Sequence, residues 1–89
     1  MNTFHLIVSS PDGNLFDGEA YRLILRGAEG DLAVMAGHIP FITSVQPGEC
    51  RLELPDETTR VGQTDGGLLT VSADVTTLLS GSFTWTETE

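Results

Sequence analysis

The sequence predicts an all-β domain, a flattened antiparallel β-sandwich of two packed sheets with no substantial helix. Three observations carry this reading. Short runs alternate apolar and polar residues, the period of a half-buried strand. Turn residues return roughly every eight to twelve positions, the spacing of a sandwich or barrel. No window holds apolar residues at helical spacing over a useful length.

The elements follow in order. Thr3–Ser9 reads as a first strand, and Ser10-Pro11-Asp12-Gly13 as a tight turn in which Pro presets φ. Leu15 and Phe16 start a short second strand that Asp17-Gly18 breaks. Ala20–Arg26 follows, with Tyr21, Leu23 and Leu25 on one face and Arg22, Ile24 and Arg26 on the other. Residues 27–48 are dense in punctuation: Gly27, Gly30, Gly37 and Gly48, with Pro40 and Pro47, separate the strands Leu32–Met35 and Phe41–Val45. Glu49–Leu54 alternates cleanly, placing Cys50, Leu52 and Leu54 inward. Pro55-Asp56-Glu57 reads as a hairpin loop returning through Thr59–Thr64. Asp65-Gly66-Gly67 turns again. Leu68–Ser72 and Val75–Leu79 pair across Ala73-Asp74. Thr84–Glu89 is polar except for Trp85 and reads as a polar tail or a strand extension.

Composition narrows the function. The chain has 89 residues, the size of one domain, and such a domain buries roughly 60–65% of its unfolded surface. Its stability should be modest, so a stabilising partner is expected. Net charge is −9, with 13 acidic residues, 4 arginines and no lysine. That balance excludes binding to nucleic acid or to an anionic lipid surface, and favours a basic protein surface. Cys50 is alone, so an internal disulfide and a multi-cysteine zinc site are excluded. Its place in an alternating strand predicts a buried thiol. No basic leader and no run of transmembrane length appear, which predicts a soluble intracellular protein.

The residues give little support to catalysis. Neither GxGxxG nor a Walker-type GxxxxGK occurs, and no GxSxG elbow is present. His5 and His38 lack the spacing of a helical zinc pair. No catalytic, cofactor-binding or metal-ligating residue is assigned. His5 reads as a strand residue with its ring at the sheet surface. His38, after Gly37 and before Ile39-Pro40, sits on a bend beside apolar side chains. There it serves either a partner contact or a loop hydrogen bond. Glu29-Gly30-Asp31 is either a solvated turn or an acidic contact for a basic partner.

Gly27-x-Glu29-Gly30-Asp31-Leu32, then Gly37-His38-x-Pro40, closed by Pro47-Gly48, resembles the N-terminal domain of the epsilon subunit of F-type ATP synthases. Thr3-Phe4-His5-Leu6, Phe16-Asp17-Gly18 and Gly66-Gly67-Leu68-Leu69-x-Val71 are similar to the same family, as is Val75-Thr76-x-Leu78. The resemblance spans residues 3 to about 80. Three positions depart from the pattern: Ala33 stands where the family has Gly, Ala36 where it has Pro, and Asp65 where it has a Ser- or Asn-like residue.

The resemblance implies a non-catalytic rotor subunit of the central stalk that binds the gamma subunit and the ring of c subunits. Such a subunit couples ion flow to rotary ATP synthesis. Glu29, Gly30 and Asp31 would face the polar loops of the c ring. Ser10, His38, Ile39, Pro40 and Phe41 would face gamma. The implied place is the cytoplasmic face of the bacterial inner membrane, held peripherally through the complex alone. Most bacterial relatives continue into a C-terminal helical hairpin that can inhibit ATP hydrolysis. A chain ending at Glu89 would lack that brake and any ATP site built on it. The competing reading is a freestanding β-sandwich protein-binding module, and an enzyme subunit with a hidden metal site comes third.

Overall fold

The computed structural model describes residues 2–88, with side chains through Thr86. Ten strands follow in sequence: β1 (Phe4–Ser10), β2 (Gly13–Ala20), β3 (Arg22–Gly27), β4 (Gly30–Met35), β5 (Phe41–Val45), β6 (Gly48–Glu53), β7 (Thr59–Thr64), β8 (Gly67–Val71), β9 (Thr76–Ser80) and β10 (Phe83–Thr88). They form one ladder in the order β10-β7-β6-β3-β5-β8-β9-β1-β2, with β4 on the other side of β3. The link between β3 and β5 is a single residue pair, Gly27 with Val45. There the ladder folds over into two layers. The first sheet is β4-β3-β6-β7-β10 and the second is β5-β8-β9-β1-β2, as the expected sandwich requires.

The core lies between them. Leu6, Val8, Leu23, Leu25, Val34, Cys50, Leu52, Leu69 and Leu78 are almost fully buried in it. Each alternates with an outward neighbour, so the strand period itself delivers the apolar side chains. Burial pushes the Cys50 thiol up to about 11, with the neighbouring Glu49 charge adding to the effect.

Three features differ from the sequence reading. First, β2 runs unbroken through Asp17 and Gly18. Gly18 pairs with Leu6 on the inner face, and the Phe16 ring lies at ordinary contact distance from it. Asp17 points outward instead. Second, the tail is a strand of its own. β10 pairs with β7, and Phe83 and Trp85 pack over Gly62, which has no side chain to obstruct them. Trp85 Nε1 also donates to the Leu15 carbonyl at 3.3 Å, tying β10 to β2 where the two sheets' edges meet. Glu89 lies outside the described residues. Third, β1 and β9 run parallel, while every other pairing is antiparallel.

The double glycine has a steric cause. Gly66 holds φ at 106°, a region side chains rarely adopt. A Cβ on Gly67 would sit on the carbonyl oxygen of Leu79, a backbone atom that cannot rotate away. Asp65 completes the corner, because its Oδ1 accepts the Ser82 amide at 2.9 Å. The departure from the family pattern at this position therefore still ties the β7–β8 turn to the β9–β10 turn.

Three outcomes are expected. Gly67→Ala should destabilise the chain by about 1–3 kcal/mol through overpacking, read from urea denaturation. Alkylation of Cys50 at about pH 8 should be negligible in the folded chain, where roughly a thousandth of the thiol is ionised, and fast after unfolding. The sign for stability follows: the unfolded thiol ionises near its ordinary 9.0 and the folded one near 11. Stability should fall as pH rises from about 9 to about 11, and Cys50→Ala should remove that part of the slope.

Candidate functional site

The two outer faces of the sandwich differ in chemistry. On the first sheet, the outward positions of β3 carry Arg22 and Arg26, and those of β6 carry Glu49, Arg51 and Glu53. Arg22 Nη2 donates to Glu53 Oε1 at 2.7 Å, and Nε to the same oxygen at 3.1 Å. That hydrogen bond and the Glu53 charge push Arg22 above its ordinary value. Arg26 Nε stands 3.6 Å from Asp31 Oδ1. Ile24 is outward too, flanked along β3 by the two arginines. This face is laced with opposite charges, the pattern of a surface kept in water.

The second sheet's outer face is apolar at its centre. Ile42 of β5, Leu68 of β8, Leu79 of β9 and Ile7 of β1 all take outward positions. Ile42 is 67% exposed, Leu79 49% and Leu68 41%. Leu68 stands directly opposite Leu79, and Ile42 opposite Thr70, which in turn faces Thr77. Thr70, Thr77, Ser44 and Ser9 fill the positions between, and none is charged. Charge returns only at the β1–β2 rim, where the His5 ring sits 2.7 Å from Asp17 and 3.5 Å from Glu19. Thr3 donates to Glu19 as well. Exposed apolar side chains grouped on one rigid face mark an interaction surface.

The residues singled out from the sequence fall at the ends of the molecule. Ser10 ends β1 beside Ser80 and Gly81 at one end. His38 lies beyond β4 at the opposite end, about 20 Å away by strand rise. It borders a cleft of about 500 Å³ that Phe4, His5, Glu19, Met35 and Asp74 also line. Its Nδ1 lies 3.0 Å from the Ile39 carbonyl, and its ring packs on Phe41 at 4.9 Å. The loop hydrogen bond weighed from the sequence is therefore present, and the rest of the ring stays exposed. Ile39 is 78% exposed, whereas Phe41 packs partly against the core. His5 is on the sheet surface, as read from the sequence.

Glu29, Gly30 and Asp31 form a projecting bend at the Ser10 end. Ala28 and Glu29 make the turn, Gly27 pairs with Gly30, and Gly30 holds φ at 128°. All three residues of the bend are exposed.

The sequence reading named both ends of the second sheet and missed the strip between. The signal was there. Leu6-Ile7-Val8, Phe41-Ile42, Leu68-Leu69 and Leu78-Leu79 are adjacent apolar residues in strands, so one of each pair must face outward. All four belong to the second sheet, although Leu23-Ile24-Leu25 of β3 carries the same pattern on the first.

The sequence profile of the family described as "ATP synthase, Delta/Epsilon chain, beta-sandwich domain" matches residues 3–86. The chain is 38% identical over 80 residues to an ATP synthase epsilon chain of Delftia acidovorans, covering 90% of this chain and 58% of that protein. It is 34% identical over 85 residues to a sodium-ion-specific ATP synthase epsilon chain of Acetobacterium woodii, covering 96% and 64%. The chain thus spans about three fifths of the length of these relatives. Its fold is that of a chain in the Euglena gracilis mitochondrial ATP synthase, with a TM-score of 0.88 at 19% identity, covering 93% of this chain and 53% of that one. A chain in the central stalk and c-ring structure of the Tetrahymena thermophila enzyme aligns with a TM-score of 0.76 at 13% identity, covering 92% and 66%.

Proposed function

The chain belongs to the family of the ATP synthase delta/epsilon-chain β-sandwich domain, and from that premise we propose that it is a non-catalytic subunit of the rotor. In this reading it joins the gamma subunit to the ring of c subunits, peripherally, at the cytoplasmic face of the bacterial membrane. It helps convert ion flow into rotation and so into ATP synthesis.

One observation carries the reading: a single sheet face is apolar and uncovered on a chain of net charge −9. Gamma docks there, along the strip from Ser10 to His38, Ile39 and Pro40 through Ile42, Leu68 and Leu79. Each apolar side chain removed from water contributes roughly 25 cal/mol per Å² before the costs of association. The bend of Glu29, Gly30 and Asp31 projects from the Ser10 end and meets the loops of the c ring, which in this family commonly carry basic residues. Its exposed carboxylates complement such a surface. The sandwich between the two contacts has to transmit twist without shearing, and two hydrogen-bonded sheets closed on a packed core resist it.

Leu79→Asp and Ile42→Asp should each weaken gamma binding about tenfold or more by calorimetry, since a charge at the centre of an apolar contact has no partner. Glu49→Gln on the opposite face should leave it unchanged; equal losses from both faces would rule out the docking face. His38→Asp should loosen gamma as well. Asp31→Arg should leave the chain folded and bound to gamma while lowering assembly with the c ring and coupled ATP synthesis. Normal coupling in that variant would remove the bend from the contact.

A further inference from the structure

The two carboxylates of the β3–β4 bend are in different situations. Glu29 is part of the turn, and among the described residues it has no ion-pair or hydrogen-bond partner. Asp31 stands directly opposite Arg26 in the strand register, with Arg26 Nε 3.6 Å from its Oδ1. Both side chains are mostly exposed, at 64% and 77%. The separation is longer than a hydrogen bond. A wet, loose ion pair of this kind holds little energy and exchanges readily.

We propose that Arg26 is a built-in counter-ion that screens Asp31 and so sets how strongly this bend attracts a basic protein surface. The proposal rests on the reading of the bend as the contact with the c-ring loops. Glu29 and Asp31 together carry −2; with Arg26 beside them the bend carries −1. A basic side chain arriving at the bend competes with the Arg26 guanidinium for one carboxylate, while Glu29 offers its charge without competition. Displaced Arg26 has a second acceptor within its own surroundings. It lines an open hollow of about 490 Å³ on the first sheet's outer face together with Asp31, Ile24, Glu49 and a second cation, Arg51. Glu49 can take the guanidinium once Asp31 is engaged. Arg26 thereby lowers the affinity of the contact and makes it more reversible, without touching the partner in the assembled state.

The sign of the effect separates this role from a structural one. Removing an arginine that merely braces the hairpin would weaken binding or leave it unchanged; removing a screen tightens it. The test measures binding of the full chain, Arg26→Gln, Asp31→Asn and the double variant to a purified gamma–c-ring subcomplex and to gamma alone. Measurements at about 50 mM and about 500 mM salt bracket the range over which exposed charges are felt. Arg26→Gln should bind the subcomplex about two- to fivefold tighter at low salt, with the advantage lost at high salt. Its affinity for gamma alone and its melting temperature should match the parent. In the Asp31→Asn background the same change should add almost nothing. Equal or weaker binding by Arg26→Gln, or a gain that survives without Asp31, overturns the screening role. If the parent chain binds gamma as tightly without the ring as with it, the c-ring reading of the bend falls, and the role of Arg26 falls with it.

Discussion

The architecture depends on one narrow joint. The two sheets belong to a single hydrogen-bonded ladder, and they are continuous only where Gly27 of β3 meets Val45 of β5. The Gln46 amide adds a bond to the Arg26 carbonyl at 2.8 Å beside it. Gly66 closes against the same place, since a Cβ on it would lie 2.9 Å from the Val45 carbonyl. Of the glycines at this joint it is Gly66 that has to lack a side chain, because its φ of 106° and this close approach both exclude one, whereas a Cβ on Gly27 would meet only ordinary contacts. Once the ladder turns at this point, β4 and β5 become stacked edges and the inner faces of both sheets oppose each other. The acidic bend projects from the same end, held by the β3–β4 hairpin that starts at Gly27. The joint therefore positions both the core and the charged contact.

The distribution of arginine gives the molecule its direction. Four cations serve 89 residues, and three of them, Arg22, Arg26 and Arg51, lie on the first sheet's outer face among carboxylates. Arg60 is spent on the Trp85 ring, 3.9 Å away, helping to hold β10 on the sheet. No cation remains for the second sheet's face. Its acidic rim at Asp17 and Glu19 is met, among the described residues, by the His5 ring and the Thr3 hydroxyl. A partner arriving on that side meets apolar side chains at the centre and negative charge at one edge. On the other side it meets charges of both signs, among them the Arg22–Glu53 pair and the looser Arg26–Asp31 pair. Desolvating the first face would break ion pairs, whereas desolvating the second removes apolar surface from water. The second face is thus the one with less to lose on docking.

Much of this was readable from the residues. Turn chemistry located nearly every strand, because glycine and proline mark bends for steric reasons that tertiary context rarely overrides. The failures are equally physical. Asp17-Gly18 carries a strong local turn signal, yet in β2 both residues stay paired with β1, Asp17 opposite Ile7 and Gly18 opposite Leu6, and the aspartate reaches His5. Pairing with β1 overrode the local preference. β10 escaped because its apolar content is two aromatic rings amid polar residues, and their value depends on Gly62, some twenty residues earlier in the chain. The parallel pairing of β1 with β9 could not be read from either strand alone, since alternation fixes which face a residue takes and says nothing of strand direction.

The exposed apolar strip of the second sheet was legible in the sequence, and its adjacent apolar residues hid it. Adjacent apolar residues in a short strand look like a stronger core signal, so Leu68-Leu69 and Leu78-Leu79 invite the inference of deep burial. In a two-layer sandwich each sheet has only one buried face, so the second member of each pair must face outward. Leu69 and Leu78 are fully buried, and their neighbours Leu68 and Leu79 are exposed. The excess of apolar residues over what one face can bury is therefore itself a signal of a partner. In β6 no such excess exists: Cys50 and Leu52 point inward, and Glu49, Arg51 and Glu53 point outward. β3 of the same sheet does carry an outward apolar residue, Ile24, but Arg22 and Arg26 flank it along the strand, so the outward positions of this sheet stay mostly charged. The excess on the second sheet explains why a domain this small tolerates exposed leucine and isoleucine. In the assembled rotor of the proposed function, those side chains complete a core that the chain alone leaves open on one side.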